Sequence, residues 1–169
     1  YDRLSSVLIY PAGFSYDREA RSESGVVTAE QVPVCGLSST GGAIALSWPD
    51  ALSGSRASGD GSNVILHEFA HQLDQLDDAM DGTPALDSAA QYREWARVLS
   101  AEYDRLRRQT ALGIPDLISP YAATQPAEFF AVVTELFFER PRELLAFHPA
   151  LYGELSHYYR QDPAARHAS

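Results

Sequence analysis

The chain has 169 residues, 13 of them Lys or Arg and 23 Asp or Glu, for a formal net charge of −10; so acidic a balance opposes a phosphate backbone and argues against direct nucleic-acid binding through a broad basic face. Its one cysteine excludes an intrachain disulfide and a four-thiolate metal site, so any metal must be held by His, Asp or Glu. A chain this long buries roughly 70% of its unfolded surface as one domain, and its longest apolar stretches, Phe129 to Val133 and Leu136 to Phe138, are split by Thr134 and Glu135 and fall far short of a membrane span.

The first third reads as strands and turns. Ser5 to Tyr10 (SSVLIY) is a β-branched, apolar run stopped by Pro11-Ala12-Gly13, and Val26 to Val34 (VVTAEQVPV) is a second strand, pushed toward a sheet edge by Pro33. Gly42 to Trp48 (GAIALSW) is the third, stopped by Pro49. The Ser-, Gly- and Asp-rich stretch from Pro49 to Ser62 reads as a surface loop.

The rest reads as helices. Ser62 is the expected N-cap of a helix running to about Asp77, with Val64, Ile65, Leu66, Phe69, Leu73 and Leu76 on a wide apolar face. A polar loop leads to Asp87, which opens a second helix to about Gln109 with Trp95, Val98, Leu99, Tyr103 and Leu106 on a 3.6-residue period. Pro126 opens a third, PAEFFAVVTELFFE, which Pro141 ends. Pro149 starts a last helix to Tyr159, and the tail from Asp162 to Ser169 is expected to fray. With no internal repeat, the pattern predicts one α+β domain, a small sheet packed against helices.

The segment that carries chemistry is His67-Glu68-Phe69-Ala70-His71, a match to H-E-x-x-H. On a helix, residues four apart lie about 40° apart around the axis, so both imidazoles reach one cation from the same face. Glu68 is displaced by about 100° from His67. It therefore sits beside the ion, where it can take a proton from an activated water.

A catalytic zinc takes three protein ligands and one open position. Candidates for the third are Asp74, Asp77, Asp78, Asp81, Glu128, Glu135, His148 and His157. Asp74 is about two turns, roughly 10 Å, from His67 along the axis, too far to share its ion, and is better placed to orient His71. Glu128 and Glu135, on one face of a very apolar helix, are the carboxylates that burial would make expensive unless paired or bound to a cation. Spacing does not choose between them.

HEFAHQLD, the following Asp81-Gly82 and above all YAATQPAEFFAVVTELFFERP resemble the Mlc titration factor A family of zinc peptidases, whose active site is similar to that of the anthrax lethal factor protease domain. The resemblance runs from Val7 to Pro163. It implies a zincin-like fold with one catalytic zinc on His67, His71 and Glu128, and Glu68 as general base. It also implies that Tyr121, seven residues before the ligand glutamate, faces the site. Members carry a largely helical segment ahead of the VLIYP strand that has no counterpart here, so residues 1–169 are expected to be a single catalytic domain from a longer protein.

The expected activity is hydrolysis of peptide bonds in the cytoplasm, aminopeptidase-like by resemblance. The alternative, again from the resemblance, is an anti-repressor that captures a transcriptional repressor of the Mlc type independently of catalysis. The strand Gly42 to Trp48, just ahead of the loop that feeds the HExxH helix, is the expected place for a peptide to align by strand addition. Tyr152, Tyr158 and Tyr159 are candidates for a partner patch, with core packing as the alternative use.

Overall fold

The computed structural model describes residues 4–21, 27–39, 41–56, 59–77 and 79–166. Five strands come first: Ser6–Tyr10 (β1), Phe14–Arg21 (β2), Val27–Val34 (β3), Gly36–Ser38 (β4) and Ala43–Ser47 (β5). They form a three-stranded sheet in the order β1-β5-β4 and a separate β2-β3 ribbon. β5 pairs parallel with β1, Ser6 opposite Ala43, and antiparallel with β4, Gly36 opposite Leu46. As the central strand β5 is the most buried, with Ile44, Leu46 and Ser47 inside, while every residue of β1 is exposed.

β2 and β4 carry too little apolar alternation to show in the sequence. β2 (FSYDREAR) is held by antiparallel pairing to β3 along its whole length. β4 has three residues and is tied at both ends by main-chain bonds to β5, Ser47 N–H to Cys35 C=O at 2.9 Å and Ser39 N–H to Ala43 C=O at 2.8 Å. The third expected strand and the second lie where β5 and β3 are found; Val26 is outside the described residues.

The Pro49 to Ser62 segment is not wholly a loop. Trp48–Arg56 is a helix (α1): Pro49, whose ring stops the strand, suits the first helical turn, where its missing N–H has no partner to lose. Val64–Asp74 (α2) carries the HExxH motif and is followed by a 3-10 turn, Gln75–Asp77. Its N-cap is Asn63, not Ser62: Asn63 Oδ1 accepts from Ile65 and Leu66 N–H at 3.1 and 3.2 Å.

Ala89–Ala111 (α3), capped by Ser88 rather than Asp87, precedes a 3-10 turn at Pro120–Ala123 and then Pro126–Glu139 (α4). Pro141 ends α4 and also opens Pro141–Phe147 (α5), a further correction, and Pro149–Tyr159 (α6) follows. The tail is helical over Pro163–Arg166 (α7) instead of fraying from Asp162.

Helix α4 is the axis of the core. Every residue from Ala127 to Phe137 is buried, which explains its apolar composition on all sides. Trp95 of α3 meets Phe130 edge-to-face at 5.5 Å, and Phe137 stacks with Tyr159 at 5.5 Å. Tyr152 is buried, with its hydroxyl on Asp162, and Tyr158 and Tyr159 pack on the same core. These tyrosines are core residues, not a partner patch. The molecule is thus a single α+β domain with its small sheet against α2 and its core around α4. Among the described residues no helix is long and apolar enough to cross a membrane.

Candidate metal centre

Helices α2 and α4 pack side by side and bring three ligand atoms to one point. His67 Nε2 lies 3.2 Å from His71 Nε2 and 3.0 Å from Glu128 Oε2, and His71 Nε2 is 3.6 Å from Glu128 Oε1. Ligands about 2.1 Å from one tetrahedral ion stand about 3.4 Å apart. The nitrogen–nitrogen separation and the two nitrogen–oxygen separations, one to each Glu128 oxygen, bracket that figure, and among the described residues His67, His71 and Glu128 are the group able to hold an ion. Two imidazole nitrogens facing each other beside a buried carboxylate are a donor set that a cation fits.

The structure separates the two glutamates that spacing could not. Glu128, in the first turn of α4 and contacted by Gln125 Nε2, meets the Nε2 side of both histidines. Glu135, two turns on, lies behind: its Oε1 is 2.7 Å from His67 Nδ1 and its Oε2 accepts from Asn63 N–H. With the Nδ1 hydrogen on Glu135, the lone pair of Nε2 is aimed at the ion position. Asn63 Nδ2 donates to Glu139 Oε1 at 2.9 Å, so α4 holds both the cap of α2 and the orientation of its first histidine.

Burial disfavours a charged His67, but Glu128 and Glu135 on its two nitrogens outweigh burial and raise its pKa from 6.5 to about 10. Burial pushes Glu128 upward; His67 and His71 override it and hold the carboxyl far below the ordinary carboxylate range. Glu68 is raised, first by burial and then by Glu128 and Glu135, with the two histidines opposing.

Asp74 is fully buried, and burial raises its pKa to about 6. Its Oδ2 accepts from Gly82 N–H at 2.9 Å, whereas its Oδ1 and His71 Nδ1 are buried without hydrogen-bond partners. The contact expected to orient His71 is therefore not formed; Asp74 instead anchors the loop after α2. Asp81 is exposed and accepts from Thr83 N–H at 3.0 Å. His148 sits among Glu102, Arg105 and Asp116, and His157 accepts from Gln91, so neither approaches the centre. Asp78 lies outside the described residues.

His67 and Glu68 open onto a cavity of about 660 Å³, a size suited to a peptide segment, whose walls include Gly36, Asp50, Gly61 and Tyr121. Tyr121, in the 3-10 turn before α4, is 54% exposed, and its ring centroid is 6.3 Å from that of His67. Strand β5 is paired on both sides and has no edge to offer a peptide. The sheet edge beside α2 is β4. Because Cys35 and Ser39 bond to β5, alternation turns the main-chain groups of Gly36 and Ser38 to the other side.

Glu135 meets His67 Nδ1 rather than the point shared by the two Nε2 atoms, and Gly36 lies so close to Glu68 that an added Cβ would be 2.5 Å from its Cγ; the sequence analysis anticipated neither contact. Glu135 had a signal, a second carboxylate seven residues after Glu128 on a helix otherwise made for burial. Gly36 had none, since its neighbour Glu68 is 32 residues away along the chain.

The model of the family described as glucose-regulated metallo-peptidase M90 matches residues 1–160. The uncharacterized protein slr2042 of Synechocystis sp. is 42% identical over 165 residues, 96% of this chain and 60% of that protein. Mlc titration factor A of Klebsiella pneumoniae is 37% identical over 168 residues, 98% of this chain and 62% of the relative, and that of Salmonella agona is 38% identical with the same coverage. The chain thus spans about three-fifths of the length of these relatives. Because the match covers strands, helices and metal centre together rather than one short motif, the chain belongs to the glucose-regulated metallo-peptidase M90 family.

Proposed function

We propose that residues 1–169 are a catalytic domain that hydrolyses peptide bonds with one zinc ion on His67, His71 and Glu128. The observation that carries this reading is the convergence of those three ligands at 3.0 to 3.6 Å with Glu68 beside them on a cavity wall. Two neutral imidazoles and a carboxylate are donors that suit zinc and leave a position open. Bound there, the ion supplies Lewis acidity, activating a water and polarising the peptide carbonyl.

The chain's own groups do the rest. Glu68 accepts the proton of the attacking water and passes it to the leaving amine, a role for which a carboxyl raised by burial is suited. The Tyr121 hydroxyl, from a cavity-lining ring 6.3 Å from that of His67, donates to the oxyanion that develops on the former carbonyl. Gly36 and Ser38 at the β4 edge align the peptide main chain, the role first expected of β5. Aminopeptidase-like action on small peptides is the form suggested by the family resemblance.

Glu68→Gln should keep metal stoichiometry and lose turnover of a peptide library by roughly 100-fold or more. Turnover retained in that variant would sink the role given to Glu68. The name shared by several relatives, Mlc titration factor A, supports a second reading, capture of an Mlc-type repressor. Repressor binding measured on the Glu68→Gln protein separates the two, since capture needs a surface and not a base.

A further inference from the structure

Glu68 lines the cavity and is 5% exposed, and among the described residues no hydrogen bond fixes its carboxylate. Its neighbour is the main chain of β4. A Cβ added at Gly36 would lie 2.5 Å from Glu68 Cγ, 2.6 Å from Oε1 and 2.8 Å from Cδ, well inside the roughly 3.5 Å at which carbon atoms rest against each other.

Gly36 is not needed for its backbone. Its φ is not in the left-handed region, unlike those of Gly42, Gly59, Gly61, Gly82 and Gly113. The requirement is spatial: β4 passes so close to α2 that the base occupies the volume a side chain would take. A side chain with three rotatable bonds and no hydrogen bond to fix it depends on such a wall for its direction.

We propose that Gly36 is a positioning residue for the general base: the bare main chain at this position seats the Glu68 carboxylate and aims it at the reacting water. The inference rests on the reading of Glu68 as base and deepens it. Its physical content lies in which partner can yield. At Gly82 the added Cβ would meet the main chain of Pro126, 2.5 Å from its carbonyl oxygen, which cannot move alone. At Gly36 the obstacles are Glu68 Cγ, Oε1 and Cδ, all on one side chain, so an added methyl group is relieved by turning that side chain about its Cα–Cβ bond, which carries the carboxylate aside by about 1 Å or more. The fold survives and the base is displaced. Misplacement on this scale is worth about 100-fold in rate.

The test is Gly36→Ala, alone and combined with Glu68→Ala, with Glu68→Gln as reference. The expected result for Gly36→Ala is a kcat lowered 10- to 100-fold, KM within about threefold, zinc affinity by competition titration unchanged, and Tm within about 3 °C of wild type. Metal-free protein gives a readout that needs no activity. Any Tm loss caused by Gly36→Ala in the Glu68 background should vanish in the Glu68→Ala background, where the obstacle is gone.

Wild-type kcat in Gly36→Ala, or a Tm loss of equal size in both backgrounds, overturns the proposal. A raised KM with kcat intact does so too, because it would make Gly36 a substrate contact only. Turnover surviving in Glu68→Gln brings down the base reading itself. Loss in Glu68→Gln with no loss in Gly36→Ala leaves that reading standing and removes Gly36 alone.

Discussion

His67 shows how one side chain is determined by groups on another helix. Its two nitrogens meet Glu128 at 3.0 Å and Glu135 at 2.7 Å, and the two contacts have different consequences. Glu128 meets Nε2, the nitrogen that also faces His71, at the proposed ion position. Glu135 fixes which nitrogen carries hydrogen, and it also accepts from Asn63 N–H at the start of α2. Partners of this kind, which orient a ligand without touching the metal, typically carry 10- to 100-fold in metal affinity. Glu135→Ala should therefore weaken zinc binding by about that factor in a chelator competition, whereas Glu68→Gln should not. Equal affinities for Glu135→Ala and wild type would remove Glu135 from the centre.

Elements are placed here by a few crossing contacts. The Asp81-Gly82 step after α2 ties three helices together: Gly82 N–H donates to Asp74 of α2, Gly82 C=O accepts from Trp95 Nε1 of α3 at 3.0 Å, and a Cβ added at Gly82 would meet the main chain of Pro126 at the start of α4. Its φ of 81° is also in the left-handed region. Gly82→Ala meets backbone strain and a main-chain obstacle together, each worth about 1 to 3 kcal/mol. It should lower stability by at least about 2 kcal/mol in denaturant unfolding and loosen metal binding as a secondary effect, since Gly82 spans the elements that carry all three ligands. An unfolding midpoint within error of wild type would show that the loop moves independently of the helices.

With the proposed ligand set, metal and proton compete for one site, and the stability of the whole molecule follows. In the metal-free protein the folded-state pKa of His67, about 10, exceeds its unfolded value of 6.5, so the native state binds this proton more tightly than the unfolded chain does. The resulting stabilisation is complete below pH 6.5 and is lost as pH rises through about 10. Metal-free protein should accordingly lose Tm between pH 7 and about 10, His67→Gln should not show that loss, and saturating zinc should remove it, because the ion replaces the proton. A Tm independent of pH over this range in metal-free wild type would contradict the proton-for-metal exchange. Much of the architecture was legible from local signals: α2 from its apolar period and HExxH spacing, α4 from Pro126 and its continuous apolar run, β5 from GAIALS. The elements that were missed, α1, β2, β4, α5 and α7, are short or polar and are held by neighbours rather than by their own propensity. His67, Glu68 and His71 follow from the sequence because one helix turn fixes their relation. Which nitrogen of His67 each of Glu128 and Glu135 meets, the loss of β5 as a peptide-binding edge and the contact of Gly36 with Glu68 were decided by tertiary structure, because each depends on how close two elements far apart in sequence approach, a distance that no local period encodes.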